Sequence, residues 1–258
     1  MQQPTPAATD YRWLTAIPVY NEERHLVRVL HEVRRYSPEI LVVNDGSTDG
    51  TAELLAQEPG LRLITHPRNR GYGAALISAF AYAVAENFDV LVTMDCDGQH
   101  EPARIPVLLE AIHDADIVSG SRYLRAFRQD SAPPQDRYQI NRRITQELNE
   151  RYGLHLTDAF CGFKAYRREA LSRLRITEEG WGMPLQLWVQ AAYWGLRIKE
   201  VAVPRIYLDP NRAFGGVMDD APQRLAYYRR VIADSDAEVR GWLRSRQAAA
   251  PGGKGCRR

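Results

Sequence analysis

The chain has 258 residues, of which 45% are hydrophobic and 26% are charged, and its formal net charge is only +2. This is the composition of an ordinary globular protein, and the charge balance gives no reason to expect nucleic acid as a partner. Three cysteines form no Cys-x-x-Cys pair, so the sequence predicts neither disulfides nor a zinc site and favours a reducing compartment. The chain starts without a basic segment followed by an apolar one, and its longest apolar run, residues 74–85, is too short to cross a bilayer. We therefore expect a cytoplasmic protein with no membrane anchor of its own.

Strand and helix patterns alternate four times in the first hundred residues. Strands are predicted at residues 13–19, 40–43, 61–65 and 90–94, and helices at residues 21–36, around 54–55 and at 74–86, with Asn21 as the first N-cap. Such alternation indicates an α/β fold with a mostly parallel sheet and helices on both faces. Ligands of these sheets bind beyond the carboxyl ends of the strands, so Tyr20, Asp45 and Asp95 are expected to face one cleft.

The second half of the chain is less regular. Helices are predicted at residues 102–113, 138–152 and 184–194, and strands at residues 116–120, 161–166 and 198–207, with a mobile loop around Pro133 and Pro134. We divide the chain into a main domain at residues 11–216, a basic and aromatic helical segment at 217–247, and a disordered tail at 248–258.

Two carboxylates end the strand predicted at residues 90–94. Side chains alternate along a strand, so Asp95 and Asp97 converge on one point just past its end, where Gln99 could add a carbonyl oxygen. Hard oxygen ligands suit Mg²⁺ or Mn²⁺ shared with the phosphates of a substrate. On spacing alone, capping of the next helix or support of a turn is the simpler explanation for an Asp-x-Asp pair.

Six short motifs occur in order between residue 18 and about residue 216. They are Pro18-Val19-Tyr20-Asn21-Glu22, Asn44-Asp45-Gly46-Ser47-Thr48-Asp49, Asn69-Arg70-Gly71-Tyr72-Gly73, Asp95-Cys96-Asp97-Gly98-Gln99-His100, Ser121-Arg122-Tyr123 and Asp158-x-x-x-Gly162-Phe163. Together they resemble the family 2 glycosyltransferases of GT-A fold, and within that family the dolichol- or polyprenyl-phosphate mannosyltransferase branch. The resemblance implies inverting transfer of a sugar from a nucleotide diphosphate sugar, with a divalent metal, Mg²⁺ or Mn²⁺, at the Asp-x-Asp.

The resemblance also implies roles for the residues around the donor. Pro18, Tyr20 and Glu22 would border the nucleoside, and Asp45 would accept hydrogen bonds from the base. In the members that use phosphate acceptors, residues at the positions of Asp97 and Gln99 bind the metal, and Asp95 would lie close to the ribose and the metal.

Several arginines match positions that bind phosphate in the same branch. Arg122 would meet phosphate, and Arg137, which has an asparagine four residues on, would lie near the phosphates, with Arg142 as a rival register. From the sequence alone, a solvated helix face explains these helix arginines equally well. Arg212 resembles the arginine of a mobile Arg-x-x-Gly loop, but Gly-Val-Met replaces the Ser-Lys that usually follows.

The nature of the acceptor follows from the need for a base. A hydroxyl acceptor needs a carboxylate base, whereas a lipid phosphate is already ionised and needs cations that hold two anions together. Residues 180–186 lack the Glu-Asp pair that hydroxyl-directed relatives often carry, and Asp158 is the reserve candidate for a base or a sugar contact. We therefore predict transfer of a hexose, mannose or glucose, to polyprenyl phosphate. The alternatives are transfer to a soluble or polysaccharide hydroxyl acceptor, and a protein that binds nucleotide sugars without catalysis.

Residues 224–246 raise the question of how the protein reaches a lipid. Arginines alternate there with aromatic and aliphatic residues, a mixture typical of a helix lying on an anionic membrane surface. The aromatics could instead pack on the catalytic domain and leave the arginines in water. Peripheral contact with the cytoplasmic membrane face and a separate membrane partner both remain open.

Overall fold

The computed structural model describes residues 11–208 and 214–249. In these ranges seven strands form one sheet in the order β3-β2-β1-β4-β6-β5-β7. The strands are β1 (Trp13–Val19), β2 (Ile40–Asn44), β3 (Arg62–Thr65), β4 (Val90–Thr93), β5 (Ile117–Ser121), β6 (Lys164–Arg167) and β7 (Ile198–Ala202).

The sheet is mostly parallel. β1 pairs in parallel with β2 and β4, β2 with β3, and β5 with β7, whereas β6 runs antiparallel to both β4 and β5. The central strands are almost completely buried, as expected for runs of Val, Ile and Leu covered on both faces. The predicted α/β fold with a mostly parallel sheet is confirmed.

Helices cover both faces of this sheet. The helices are α1 (Leu26–Val33), α2 (Thr51–Gln57), α3 (Tyr72–Ala85), α4 (Ile105–Ala111), α5 (Gln135–Tyr152), α6 (Arg168–Arg173), α7 (Met183–Tyr193) and α8 (Ala221–Ala249), with 3₁₀ turns at Pro102–Arg104, Ile112–Asp114 and Gly216–Asp219. One buried cluster joins the sheet to α3, α5, α6, α7 and α8, and the other joins it to α1, α2 and α4. Alternate residues of β1, such as Leu14 and Ile17, enter opposite clusters because side chains alternate along a strand.

Several predicted elements differ in extent from the observed ones, and two of them are wrong by five residues at one end. The helix expected at residues 21–36 begins only at Leu26, because Asn21 has a positive φ of 55° and its side chain accepts a hydrogen bond from the Thr48 amide at 2.8 Å. Asn21 therefore holds a turn instead of capping the helix. The strand expected at 198–207 ends at Ala202, because the following residues pair with the loop at 130–131, where Ser131 donates its amide to the Arg205 carbonyl at 2.8 Å.

Helix α8 packs on the domain along one face. Tyr228, Val231, Ile232 and Val239 are each less than 7% exposed, and the first three join the cluster that contains α5 and α7. Burying each such side chain contributes about 1.5–3 kcal/mol, so this face is a part of the core. The helix continues to Ala249, so residues 248 and 249 of the predicted tail are helical, and residues 250–258 lie outside the described ranges.

Candidate active site

A cavity of about 560 Å³ lies where β1, β2, β4 and β5 end. It is lined by every predicted donor and metal residue and by two of the predicted arginines: Pro18, Tyr20, Glu22, Asp45, Asp95, Asp97, Gln99, Arg122 and Arg137. Arg142 lines a separate cavity of about 350 Å³, which favours the register that puts Arg137 at the site. Asp158 does not line the large cavity, and Arg212 lies outside the described residues.

Asp45 is a buried residue of the cavity wall and organises the loop before α3. Its carboxylate accepts hydrogen bonds from the Arg70 amide at 3.0 Å, from the Gly71 amide at 2.7 Å and from His66 Nδ1 at 2.5 Å. Gly71 has a positive φ of 113°, and a Cβ there would lie 2.5 Å from the Glu179 carbonyl oxygen. Glycine is therefore required in this loop. Tyr20 lines the same cavity as Asp45 and is 42% exposed, so its ring is accessible to a ligand.

Asp95 and Asp97 lie in the loop that follows β4, and both line the large cavity. Asp97 Oδ1 accepts a hydrogen bond from the Gln99 amide at 3.0 Å, and Asp95 Oδ1 accepts one from the Tyr72 hydroxyl at 3.1 Å. His100 Nδ1 accepts the Asp95 amide at 3.0 Å, which puts the imidazole proton on Nε2, the nitrogen that faces the Asp95 carboxylate at 3.8 Å. The carboxylate pair is thus held in one orientation by its own loop and by Tyr72.

The sixth motif contains a glycine, Gly162, because a side chain there would collide with Asp95. A Cβ at this position would lie 2.5 and 2.7 Å from the two carboxylate oxygens of Asp95 and 2.7 Å from the Tyr72 hydroxyl. The Gly162 carbonyl also accepts a hydrogen bond from Thr93 Oγ1 at 2.8 Å. The absence of a side chain leaves the space that the Asp95 carboxylate occupies.

The oxygen ligands suit a hard divalent cation. Asp95 and Asp97 supply carboxylates and Gln99 an amide carbonyl, all lining the same cavity. Across the described ranges, no group of three or more His, Cys, Asp or Glu side chains is placed to hold a metal by itself. Two carboxylates that leave coordination positions for substrate phosphates are the arrangement Mg²⁺ usually adopts in phosphate-transfer sites. The residues therefore fit the predicted metal.

Asp158 lies beneath the cavity, fully buried, and holds Arg122. Its Oδ2 accepts Arg122 Nε at 2.7 Å, and its Oδ1 accepts Arg122 Nη2 at 2.9 Å and Asn141 Nδ2 at 2.7 Å. Burial alone would raise the pKa of Asp158, but the charge and hydrogen bonds of Arg122, with the bond from Asn141, lower this pKa to about 2. The carboxylate is thus saturated with donors and permanently ionised at neutral pH.

Arg224 is a cavity residue that the sequence did not single out for this site. It is only 2% exposed, although its segment was predicted to lie on a membrane or in water. Its guanidinium donates to the Met218 carbonyl at 2.6 Å, forms an ion pair with Asp136 and lies 5.0 Å from the centre of the Phe214 ring. Arg137 lies 4.4 Å from the same ring centre, so two guanidinium groups share one aromatic side chain.

An aromatic row connects these arginines to the carboxylates. Tyr72, which donates to Asp95, stacks on Trp181 at 5.1 Å with an angle of 13°, and Trp181 meets the edge of Phe214 at 5.4 Å. Tyr72 belongs to the third sequence motif, so its place here could have been anticipated. Trp181 and Phe214 carry no sequence signal beyond their aromatic character, since only the fold brings them together.

Known proteins resemble this chain over most of its length. The model of the family described as Glycosyl transferase family 2 matches residues 15–175. The chain is 34% identical over 226 residues to the undecaprenyl-phosphate mannosyltransferase of Micrococcus luteus, covering 81% of this chain and 90% of that protein. It is 30% identical over 213 residues to the polyprenol monophosphomannose synthase of Mycolicibacterium smegmatis, covering 78% of this chain and 80% of that protein.

A solved structure shares the fold at lower identity. The glucosyl-3-phosphoglycerate synthase of Mycobacterium tuberculosis, solved with Mn²⁺, uridine diphosphate and glucosyl-3-phosphoglycerate, matches with a TM-score of 0.68 and 20% identity, over 88% of this chain and 81% of that chain. The sheet and its flanking helices are those of a GT-A glycosyltransferase. The chain belongs to glycosyltransferase family 2.

Proposed function

We propose that this protein transfers a hexose, mannose or glucose, from a nucleotide diphosphate sugar to polyprenyl phosphate with inversion at the anomeric carbon. Mannose is the first sugar to test, because the names of the Micrococcus luteus and Mycolicibacterium smegmatis relatives both refer to mannose. The phosphate oxygen of the acceptor forms the new bond to the anomeric carbon, and the bond from that carbon to the donor diphosphate breaks. The acceptor carries no proton that must be removed.

One observation supports a phosphate acceptor over a hydroxyl acceptor. Among the described residues that line the cavity, the carboxylates are those of Glu22, Asp45, Asp95 and Asp97. All four belong to the motifs assigned to the donor and the metal, whereas the end near Phe214 presents guanidinium groups. A hydroxyl acceptor would need a carboxylate base at that end. A phosphate acceptor needs cations there, and these are present.

The donor would occupy the end that Tyr20 and Asp45 border. Pro18, Tyr20 and Glu22 would contact the nucleoside, and Asp97 and Gln99 would hold a divalent cation, with Asp95 beside it. The bound cation would stabilise the negative charge that develops on the departing diphosphate. Asp45 supports the base contact indirectly, because its carboxylate fixes the backbone of Arg70 and Gly71.

Asp158 fits a positioning role better than the role of a base. A carboxylate with a pKa of about 2 is a weak base, and its oxygens already accept bonds from Arg122 and Asn141. Through these bonds Asp158 fixes the Arg122 guanidinium at the cavity wall, where it would meet phosphate. Arg122 and Arg137 would then hold the two anionic substrates together.

For membrane contact, we propose a surface other than α8. No helix within residues 11–208 and 214–249 is long and apolar enough to span a bilayer, and α8 uses its aromatic face for packing. Arg229 of α8 forms an ion pair with Glu147. Two exposed leucines lie instead beside cavity residues: Leu124, 47% exposed, is two residues after Arg122, and Leu208, 54% exposed, follows Tyr207.

The two leucines belong to segments that are bonded together. The Arg205 amide donates to Asp130 Oδ1 at 2.8 Å, and the Tyr207 amide donates to Ser131 Oγ at 2.7 Å. Arg125 and Arg128 of the same loop are exposed. Exposed leucines flanked by arginines suit an anionic membrane surface, where each arginine contributes about 1 kcal/mol. We therefore place the peripheral contact at residues 123–131 and 203–208.

A transfer assay tests the reaction. The protein is incubated with a panel of nucleotide sugars, Mn²⁺ and either a short-chain polyprenyl phosphate or the matching polyprenol. We expect transfer to the phosphate and none to the alcohol. Transfer to the alcohol alone would overturn the proposal in favour of a hydroxyl acceptor, and binding of the nucleotide sugar without any transfer would favour a non-catalytic binding protein.

Sedimentation with anionic liposomes tests the membrane surface. The protein should pellet at low salt and be released at high salt, because screening weakens the arginine contacts. A Leu124→Glu, Leu208→Glu double variant should stay in the supernatant. Leu63→Glu, at a site 49% exposed on the edge strand β3, is the matched control and should pellet normally. Loss of pelleting in an Arg230→Glu, Arg244→Glu variant of α8, with the double leucine variant unaffected, would return the contact to α8.

A further inference from the structure

Arg224 lies in an environment that is costly for a cation. Its side chain is 2% exposed, and the carboxylate paired with it, Asp136, is itself 45% exposed. An arginine that only tied α8 to α5 could do so at the surface, as Arg229 does with Glu147, where the two side chains are 42% and 25% exposed. The burial of Arg224 therefore calls for a reason beyond helix packing.

A second cation, Arg137, lies close to Arg224 at one end of the cavity. Arg137 and Arg224 lie 4.4 and 5.0 Å from the centre of the Phe214 ring, and the one carboxylate that pairs with Arg224 in the described residues is Asp136. Burial raises the pKa of Tyr228 to about 12, although the charges of Arg224 and Arg137 both act to lower it. The positive charges of both guanidinium groups therefore reach the Tyr228 hydroxyl.

Phe214 itself is held in place beneath the two arginines. Its amide donates to Asp219 Oδ1 at 2.7 Å, and Asp219 belongs to the 3₁₀ turn that precedes α8. The Met218 carbonyl in the same turn accepts the bond from Arg224. One short segment therefore fixes both the ring and the arginine that lies against it.

The position in the cavity distinguishes the acceptor from the donor. A chain of contacts through the rings of Tyr72, Trp181 and Phe214 leads from Asp95, where the metal and the donor diphosphate would be held, to these two arginines. Apolar side chains line the cavity beside them, among them Ile140, Phe160, Pro184 and Tyr228. Cations next to apolar side chains suit a prenyl phosphate, whose charged head is attached directly to a hydrocarbon chain.

We propose that Arg224, together with Arg137, binds the phosphate of the prenyl phosphate acceptor, and that Asp136 holds the Arg224 guanidinium in place until the acceptor replaces it. This inference rests on the proposed transfer to a lipid phosphate. A guanidinium has five N–H donors, so Arg224 can bind a phosphate and keep its bond to the Met218 carbonyl.

Substitutions of Arg224 and Asp136 separate this role from a structural one. Arg224→Gln should raise the KM for the prenyl phosphate roughly tenfold or more, as expected for a lost charge-assisted hydrogen bond, and leave the donor KM within about twofold. Arg224→Lys should fall between, because lysine keeps the charge without the planar fork. Asp136→Asn should bind the acceptor more tightly, roughly threefold, because the competing carboxylate is gone. Arg229→Gln, on the same helix and outside the cavity, is the control and should change neither KM.

Equilibrium binding of farnesyl phosphate, followed by tryptophan fluorescence without donor or metal, gives a second measurement. Weaker binding in Arg224→Gln and tighter binding in Asp136→Asn support the site. A donor KM that rises as much as the acceptor KM, or weaker binding in Asp136→Asn, would overturn it. If the wild-type protein transfers no sugar to a prenyl phosphate, the proposed function fails, while the farnesyl phosphate comparison still decides the phosphate site.

Discussion

Replacing Asp158 by asparagine tests the positioning of Arg122 directly. The side chain keeps its shape and one acceptor oxygen, but the charge that neutralises a mostly buried guanidinium is removed. Breaking a buried ion pair in this way typically destabilises a protein by about 3–5 kcal/mol. The pKa of Asp158 gives an independent figure, because a fall from 3.8 to about 2 corresponds to roughly 2 kcal/mol of stability at neutral pH. We expect Asp158→Asn to lower the free energy of unfolding by about 3 kcal/mol at pH 7.

The loss should depend on pH with a defined sign. The folded-state pKa of Asp158 lies below the unfolded-state value, so the wild-type carboxylate contributes its full stability above about pH 4. That contribution falls as the pH approaches 2, and roughly half of it is lost at pH 3. The difference in unfolding free energy between wild type and Asp158→Asn should therefore shrink between pH 5 and pH 3.

Urea unfolding, followed by tryptophan fluorescence, measures these differences. Trp188 is a suitable reporter because its Nε1 donates to the Ala159 carbonyl at 2.9 Å, next to Asp158. Glu147→Gln is the control, since it breaks a partly exposed pair with Arg229 and should cost less than about 1 kcal/mol. A loss for Asp158→Asn no larger than that of the control, or one that does not change with pH, would refute the reasoning.

Three further substitutions probe the donor end of the cavity. Asp97→Asn should lower metal-dependent turnover at least about a hundredfold, or about 2.7 kcal/mol, and near-normal turnover at ordinary Mn²⁺ would remove Asp97 from the metal site. Asp45→Ala should mainly raise the donor KM in steady-state assays, because contacts remote from the reacting carbon act equally in the ground and transition states. Gly162→Ala should reduce turnover because its Cβ would lie 2.5 Å from an Asp95 oxygen, whereas Gly241→Ala, with open space around it, should not.

The strands were predictable because their physical signal is local. Runs of buried β-branched residues set the bounds of β1, β2 and β4 to within a residue of the expected ones. The boundaries that failed depend on distant contacts. Asparagine is a residue type common at helix N-caps, but the Asn21 side chain accepts a hydrogen bond from the Thr48 amide instead. Strand β7 ends early because Arg205 and Tyr207 pair with another loop.

The role of α8 could be read in two ways from its composition, and neither interpretation placed an arginine in the core. In the structure Arg224, Tyr228, Val231 and Ser235, spaced three or four residues apart, are all buried and form one inward face of the helix. That Arg224 meets Arg137 and Phe214 could not be predicted, because this depends on how α8 lies against α5.

The reversed direction of β6 explains why the sixth motif precedes its strand while the others follow theirs. In the parallel strands the carboxyl ends meet at the cavity, so Asp45, Asp95 and Arg122 come after β2, β4 and β5. β6 is antiparallel to β4, with Thr93 opposite Lys164, so its amino end lies at the same edge. Residues just before β6 therefore arrive at the cavity: Gly162 beneath the Asp95 carboxylate and Asp158 beneath Arg122. Because Asp158 lies in the loop before β6 and Arg122 directly follows β5, the antiparallel pairing of these two strands brings the carboxylate and the guanidinium to the same edge of the sheet.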